Sequence, residues 1–474
     1  TPDGKPIISG RAVAMGGGGS INYTMMHESS SWLSKNVGKS TEYWDAMKRE
    51  LNDKFERPDP FDKKNPDFVN EIERKAVEMD EKPFAPANKA HNTAGNIPSL
   101  QDNWEEDNDK QLYLFPTQFN NFGQRTKSGV SLVDWTDRRI EIKCLHSVKG
   151  LDVDEGGTCK AVDAFDKVRN EKVSYAVKSG GKVVLSSGSS SPKLLKACKS
   201  INNESIGMHV KDHICMPLGI YFVAEDKKDL IGPTNNYESI FAVTSLKTAG
   251  DNDDDRVVCT FDFFSGEIDR LAFLVSSLYL TYIPFNSVKR LLARFPFLFT
   301  ILSNTIRILL IAVVFITNVL VGIKDVITFK GWGATQVKVT TSLLKFNPEV
   351  DGQYEYDKAE KITLGFFEDE KDTEIAEQAI EDNLAFLESL GSKPFLPLRW
   401  LFQFITKIPY EKSEVKRYVR NFRKRTLLSE QHLAGGSLFG KVVDKGDGNG
   451  ASTGKVIGTK NLHVADLSTV PCPR

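Results

Sequence analysis

The chain has 474 residues, 40% apolar and 26% charged, which is ordinary globular composition with room for two or three domains. Its 62 Lys and Arg against 63 Asp and Glu leave no basic field for nucleic acid. Six cysteines (Cys144, Cys159, Cys198, Cys215, Cys259 and Cys472) form no CxxC pair, which argues against a zinc site and a dense disulfide framework.

Residues 10–33, GRAVAMGGGGSINYTMMHESSSWL, hold four consecutive glycines among Val13, Met15 and Ile21. A linker would repeat Gly and Ser without fixed apolar neighbours. The run therefore reads as a sharp turn or a point of close ligand approach, entering a helix with Asn22 in its first turn. Residues 34–109 are polar and rich in Lys, Glu, Asp and Pro, and read as short helices and long loops. RIEIKCLHSVKGLDVD (139–154) reads as strand, turn, strand, and residues 159–188 as short strands with a turn at Gly180 and Gly181. SPKLLKACKS reads as a helix opening at Ser191 and Pro192, a cap followed by a first-turn proline.

Residues 211–262 are again strand-like, and then the character changes. Residues 271–283 are largely apolar, 295–323 are almost unbroken apolar sequence, and 297–323 carry one charge, Arg307. That length suffices for a membrane span of about 20 residues. Lys289, Arg290 and Arg294 on one side and Lys324 on the other flank it as interfacial anchors would. Arg307, unpaired in hydrocarbon, would cost about 3 kcal/mol or more. Two helices dipping into one leaflet, or a pair of buried helices, are the alternatives to a span, and membrane contact is the reading taken. QVKVTTSLLKF and KITLGFF follow as strands. An amphipathic helix comes next, with Ile375, Ala379, Ile380, Leu384, Phe386 and Leu387 on roughly one face. FLPLRWLFQFITKI (395–408) repeats the apolar and basic character, and the tail reads as glycine-rich loops around short strands.

Four stretches carry the chemistry: MGGGGSIN (15–22), VVLSSGSSSPKLL (183–195), IGMHVKDH (206–213), and QHLAGGSLFGKVVD (431–444) with GTKNLHVADLSTVP (458–471). Taken alone, Asp212 and His213 read as a hydrogen-bonded pair at a strand end, and His432 as a loop histidine. In this order the four stretches resemble the glucose-methanol-choline (GMC) family of FAD-dependent oxidoreductases across nearly the whole chain. The first is similar to the family's flavin loop and the second to its SAGxxxSPxLL turn. The third is similar to GxNLxDH, with His209 where Asn is usual. The fourth is similar to HxxGTxxMG and NLRVxDAS, with Gly435, Gly436, Ser437, Leu438, Phe439 and Gly440 in place of GTCRMG.

The resemblance implies an α/β (α+β) fold. An FAD-binding domain of the GMC type, lacking its first βαβ unit, would combine residues 1–33, 130–213 and 430–474. Residues 34–129 would form a helical and loop region near the flavin and substrate entrance. Residues 214–429 would form a substrate domain on a mixed or antiparallel sheet, with an apolar insertion at 271–323. The resemblance also implies FAD as cofactor, held by Gly16, Gly17, Gly18, Gly19, Ser20, Asn22, Val148 and Asp466; Val148 otherwise reads as a core strand residue. His432 would be the base in oxidation of an alcohol, with hydride passing to the flavin. The expected partner is a small-molecule alcohol, lipid-like if residues 271–323 meet a bilayer, and no metal is expected. The GxGxxG unit is not found before Gly10, and the family's second catalytic His or Asn is not found by Arg474, so the chain reads as a piece of a longer protein. A flavin-dependent fatty acid photodecarboxylase-like lyase and a non-catalytic membrane-associated relative remain open as alternatives.

Overall fold

The computed structural model describes residues 34, 37, 39–55, 85–86, 110–114, 137–226, 240–247, 257–265, 286–332, 334–355, 361–389, 393–394, 408–425, 428–429, 432–446 and 453–471. The glycine run with Ser20 and Asn22, the apolar stretch 271–283 and residues 395–407 lie outside them.

Helix α1 (Thr41–Phe55) opens after Ser40, whose hydroxyl oxygen accepts the Tyr43 N–H at 3.3 Å. Two short strands follow, β1 (Ala85–Pro86) and β2 (Lys110–Leu114). A three-stranded antiparallel sheet then forms from β3 (His146–Val153), β4 (Cys159–Asp166) and β5 (Glu171–Ala176). Alternation along it turns Leu151, Val153, Cys159 and Ala164 inward. The strand expected over 139–145 does not form. The Asp137 carboxylate accepts the Arg139 backbone N–H at 2.9 Å and grips its guanidinium, and Leu145 adopts φ 58°, so the segment turns and the strand starts at His146. Strand β6 (Val183–Leu185) leads through a one-turn 3₁₀ helix (Gly188–Ser190) into helix α2 (Ser191–Ala197). The cap residue of α2 is Ser190, one position earlier than expected, because the Ser191 hydroxyl is engaged by Asp466.

The largest sheet begins with β7 (Ile214–Asp226), β8 (Ile240–Lys247) and β9 (Val257–Ser265). Helices α3 (Asn286–Arg294) and α4 (Pro296–Ile327) intervene before β10 (Thr335–Phe346). The apolar stretch 297–323 is thus one continuous helix. The hairpin β11 (Val350–Glu355) and β12 (Lys361–Gly365) leads to helix α5 (Glu370–Ser389). After α5 come β13 (Lys393–Pro394), helix α6 (Lys412–Arg425), β14 (Leu428–Ser429) and finally β15 (Leu462–Val464). The sheet order is β1-β2-β8-β9-β10-β7-β13, with β14 also on β7, and every pairing except β1–β2 is antiparallel.

Two cores result. One draws Leu151, Val153, Cys159, Leu185, Leu195, Cys198 and Ile206 together with Val442, Val443, Val456, Leu462 and Val464, so the far end of the chain completes a core begun near residue 150. Asn461 locks this closure. Its carbonyl accepts the Cys159 N–H at 2.8 Å, and its amide donates to the carbonyls of Cys159 and Gly181 at 3.0 Å each. The other core lies where α5 and α6 cover the large sheet. Ile375, Ala379, Ile380, Leu384 and Leu387 are buried on α5, as its periodicity requires. Phe346, Phe367, Phe422 and Tyr418 meet in tilted and edge-on ring contacts with centroids 6.0–6.2 Å apart, each worth about 0.5–1.5 kcal/mol beyond buried area. The chain is therefore a mixed α/β protein whose main sheet is almost wholly antiparallel.

Fully buried Tyr418 donates its hydroxyl proton to the Pro217 carbonyl, tying α6 to β7. Tyr418→Phe leaves that carbonyl unpaired and should lower unfolding free energy by about 1–2 kcal/mol in a denaturant titration. In the first core, the Arg169 and Val168 backbone N–H groups hold the Asp166 carboxyl below the usual aspartate range. Its stabilisation is present above the unfolded pKa of about 3.9 and lost as pH falls through the lowered folded value. The melting-temperature gap between wild type and Asp166→Ala should therefore be widest at neutral pH and close as acid is added.

Candidate active site

Residues 207–211 run between two other backbone segments. The Gly207 N–H donates to Gly436 O at 2.8 Å, the Gly436 N–H to Met208 O at 3.1 Å, and the Tyr354 N–H to Gly207 O at 2.8 Å. Val210 exchanges both backbone bonds with Gly352, and Lys211 does the same with Ala434. Such close approach excludes side chains: a Cβ on Gly435 would fall 1.9 Å from the His209 carbonyl oxygen, and Gly435 has φ 83°. His209 itself adopts φ 56°, a left-handed conformation that Asn and His accept more readily than most residues. Its ring lies 2.7 Å from Asp351 and 2.8 Å from Lys441, at the exposed end of the segment.

The inner end of the segment holds the chemistry. Asp212 and His213 are buried just before β7, and Asp212 Oδ1 accepts two backbone N–H groups, His213 at 2.8 Å and His432 at 3.0 Å. One carboxylate oxygen thus fixes two histidines that are 219 positions apart. Their rings stand edge to face with Nδ1 atoms 3.2 Å apart, so one nitrogen donates and the other accepts. His432 is half-buried and His213 buried. A pair that shares one hydrogen bond can exchange a proton and holds each ring in a fixed tautomer relative to the other.

Asp466 forms a second node. Its Oδ2 accepts the Gly188 N–H at 2.9 Å and the Ser191 hydroxyl at 2.5 Å, while Oδ1 accepts the Ser468 N–H at 2.9 Å. The Ser437 N–H donates to Ser468 O at 2.9 Å, and the Gly435 N–H to Leu467 O at 3.3 Å, so this node is continuous with the histidine pair through 432–437. The structure therefore brings together three of the four sequence stretches, 183–195, 206–213 and the tail over its described residues 432–444 and 458–471. Val148 lies beside a bulge of β3 with 43% of its surface exposed, so it is not a core strand residue. Among the described residues no cluster of His, Cys, Asp or Glu has the arrangement of a metal site.

Residues 349–473 match the family model described as GMC oxidoreductase. This segment, about a quarter of the chain, is similar to GMC oxidoreductases. The match covers the C-terminal part, which contains Gly352, His432, Gly435 and Asp466. Comparison with curated proteins gave no match.

His213 is the residue whose position the sequence understated. An Asp-His pair ahead of a strand is a weak signal by itself, and only the fold lays it against His432. The donor chemistry near Asp466 suits a polar cofactor. The hydroxyls of Ser437 and Ser468 are fully buried with no hydrogen-bond partner among the described residues, and a Cβ at Gly188, φ 59°, would meet open space. Buried hydroxyls are seldom left unpaired, and a ligand bearing phosphates and hydroxyls would satisfy them.

Asp212→Ala would orphan the buried N–H groups of His213 and His432, at about 1–3 kcal/mol each. A clear loss of stability by denaturant titration is expected, with Asp212→Asn recovering much of it through its remaining carbonyl oxygen.

Proposed function

We propose that the protein is an FAD-dependent oxidoreductase acting on CH–OH groups, with His432 as the base and His213 positioning it. The His213–His432 pair on buried Asp212, within and beside the segment that matches the family, carries this reading. Bound FAD supplies the two-electron acceptor for the substrate's hydride. The hydroxyls of Ser437 and Ser468 and the Gly188 turn would help hold it. Gly16, Gly17, Gly18, Gly19, Ser20, Asn22, Val148 and Asp466 are assigned to it through the family resemblance.

The work of the protein is proton management. His432 accepts the proton of the substrate hydroxyl as the C–H bond breaks and the C=O bond forms. With Nδ1 set against His213, Nε2 is the nitrogen that meets the substrate. The His213 ring stabilises the imidazolium when its own Nδ1 is the acceptor, and Asp212 holds both backbones so that the rings cannot drift. A primary or secondary alcohol is the proposed substrate. The exposed apolar helix α4 favours a lipophilic one.

The test uses the full chain purified in detergent and supplied with FAD, with flavin absorption recorded without oxygen before and after addition of long-chain and short alcohols. Bleaching is expected, and a bound flavin that stays oxidised across the panel overturns alcohol oxidation. His432→Ala should lower kcat/KM by about 10²–10⁴ while the flavin spectrum is retained. His213→Asn should displace the pH–rate profile, an effect that a purely structural role would not produce.

A further inference from the structure

We propose that helix α4 lies in the plane of a membrane surface, one side bound to the protein and the other buried in lipid, and that it does not cross the bilayer. This inference is independent of the redox chemistry.

The distribution of residues around α4 is inverted relative to a helix on a water-facing surface. Ser303, Leu310, Val314, Gly322 and Asp325 are buried, and half-buried Arg307 and Asn318 fall on the same stripe by their spacing. That stripe holds Arg307 and Asp325, two of the three charged residues of the helix, and packs toward β10. Asp325 accepts the Thr335 N–H at 2.7 Å and its hydroxyl at 2.9 Å, pinning the end of the helix to the first residue of that strand. The opposite side carries Ile308, Leu309, Phe315, Ile316, Leu320 and Ile323, each 44–68% exposed. The exposed hydroxyls of Thr300 and Thr305 are turned back onto the carbonyls of Pro296 and Ile301, so they present no unmet donor to an apolar medium.

The ends of the helix match a headgroup layer. At the start, exposed Arg294 stacks over the Phe295 ring, which meets Phe297 edge-on. At the finish stand Lys324, Phe329 at 98% exposure and Lys330. Basic and aromatic residues at both ends of an apolar face are complementary to an anionic phospholipid interface.

The length and apolar character of α4 would satisfy a span. Its contacts oppose one. The protein-facing stripe runs from Ser303 to Asp325, about 33 Å at 1.5 Å per residue. A crossing helix would draw β10, paired on one side with β9 and on the other with β7, and the rest of that sheet into hydrocarbon with it. One-sided burial in the headgroup and upper acyl region satisfies both faces.

The test is sedimentation of the full chain with sealed vesicles of phosphatidylcholine containing about one third phosphatidylserine. Wild type should pellet with them. The triple variant Ile308→Glu, Phe315→Glu, Leu320→Glu should show at least about a tenfold lower partition coefficient, while its circular dichroism and melting in detergent match wild type, since the three sites are exposed. Each single variant, made separately, should weaken binding by a smaller factor. Arg294→Glu with Lys330→Glu should reduce the preference for phosphatidylserine. External protease should digest the segments on both sides of α4, residues 137–226 and 334–389. Protection of either segment establishes a span and overturns the in-plane placement. Failure to pellet, unchanged binding by the triple variant, or a concentration-dependent dimer that hides this face without lipid would each overturn the proposal.

Discussion

The backbone closure around residues 207–213 is the constraint on which the rest of the site depends. Three segments from distant parts of the chain lie at hydrogen-bonding distance there, and no side chain fits between them at Gly435. Main-chain bonds bring the segments into register, and the single buried carboxylate of Asp212 then converts register into chemistry by holding His213 and His432 from the same oxygen. A carboxylate accepting backbone donors in a buried setting is both strongly held and costly to disturb. That explains why two histidines carried on irregular backbone are nonetheless fixed against each other.

A second consequence concerns how the two cores share the chain. The core around β3, β4 and β6 stays incomplete until residues 442–464 return to it, and the tail that returns also carries His432 and Asp466. The segment that completes this core is therefore continuous with the one that completes the site. The same economy appears at α4, where Asp325 secures the helix to β10 and leaves its apolar side outward. The polar residues of that helix serve the protein, and its bulky residues serve the surroundings.

Much of the fold was legible locally. The periodicity of α5, the strand character of β10 and β12, the helix after Pro192 and the apolar run of α4 all follow from short-range patterns. The failures were local as well. The 139–145 segment has strand composition, yet the Asp137–Arg139 contact and the left-handed Leu145 bend it away. Ser191 looked like a cap because a Ser-Pro pair usually is one, and a carboxylate 275 positions away took its hydroxyl instead. Val148 shows the same limit: its β-branched character predicts a strand, which is found, but the bulge that exposes it depends on pairing with β4.

By itself the sequence determined a resemblance to GMC oxidoreductases, through ordered motifs whose glycines and polar residues can be recognised without a structure, and it singled out His432 and Asp466. It also determined that one helix would be too apolar for an ordinary surface. Only the tertiary structure decided that His213 faces His432 and that Asp212 serves both. It likewise decided that Asp466 joins the 188–191 turn to the tail, and that the polar stripe of α4 points inward. The reason is physical. Periodicity and composition act over a few residues, whereas a shared hydrogen bond between groups hundreds of positions apart exists only once both backbones have been laid side by side.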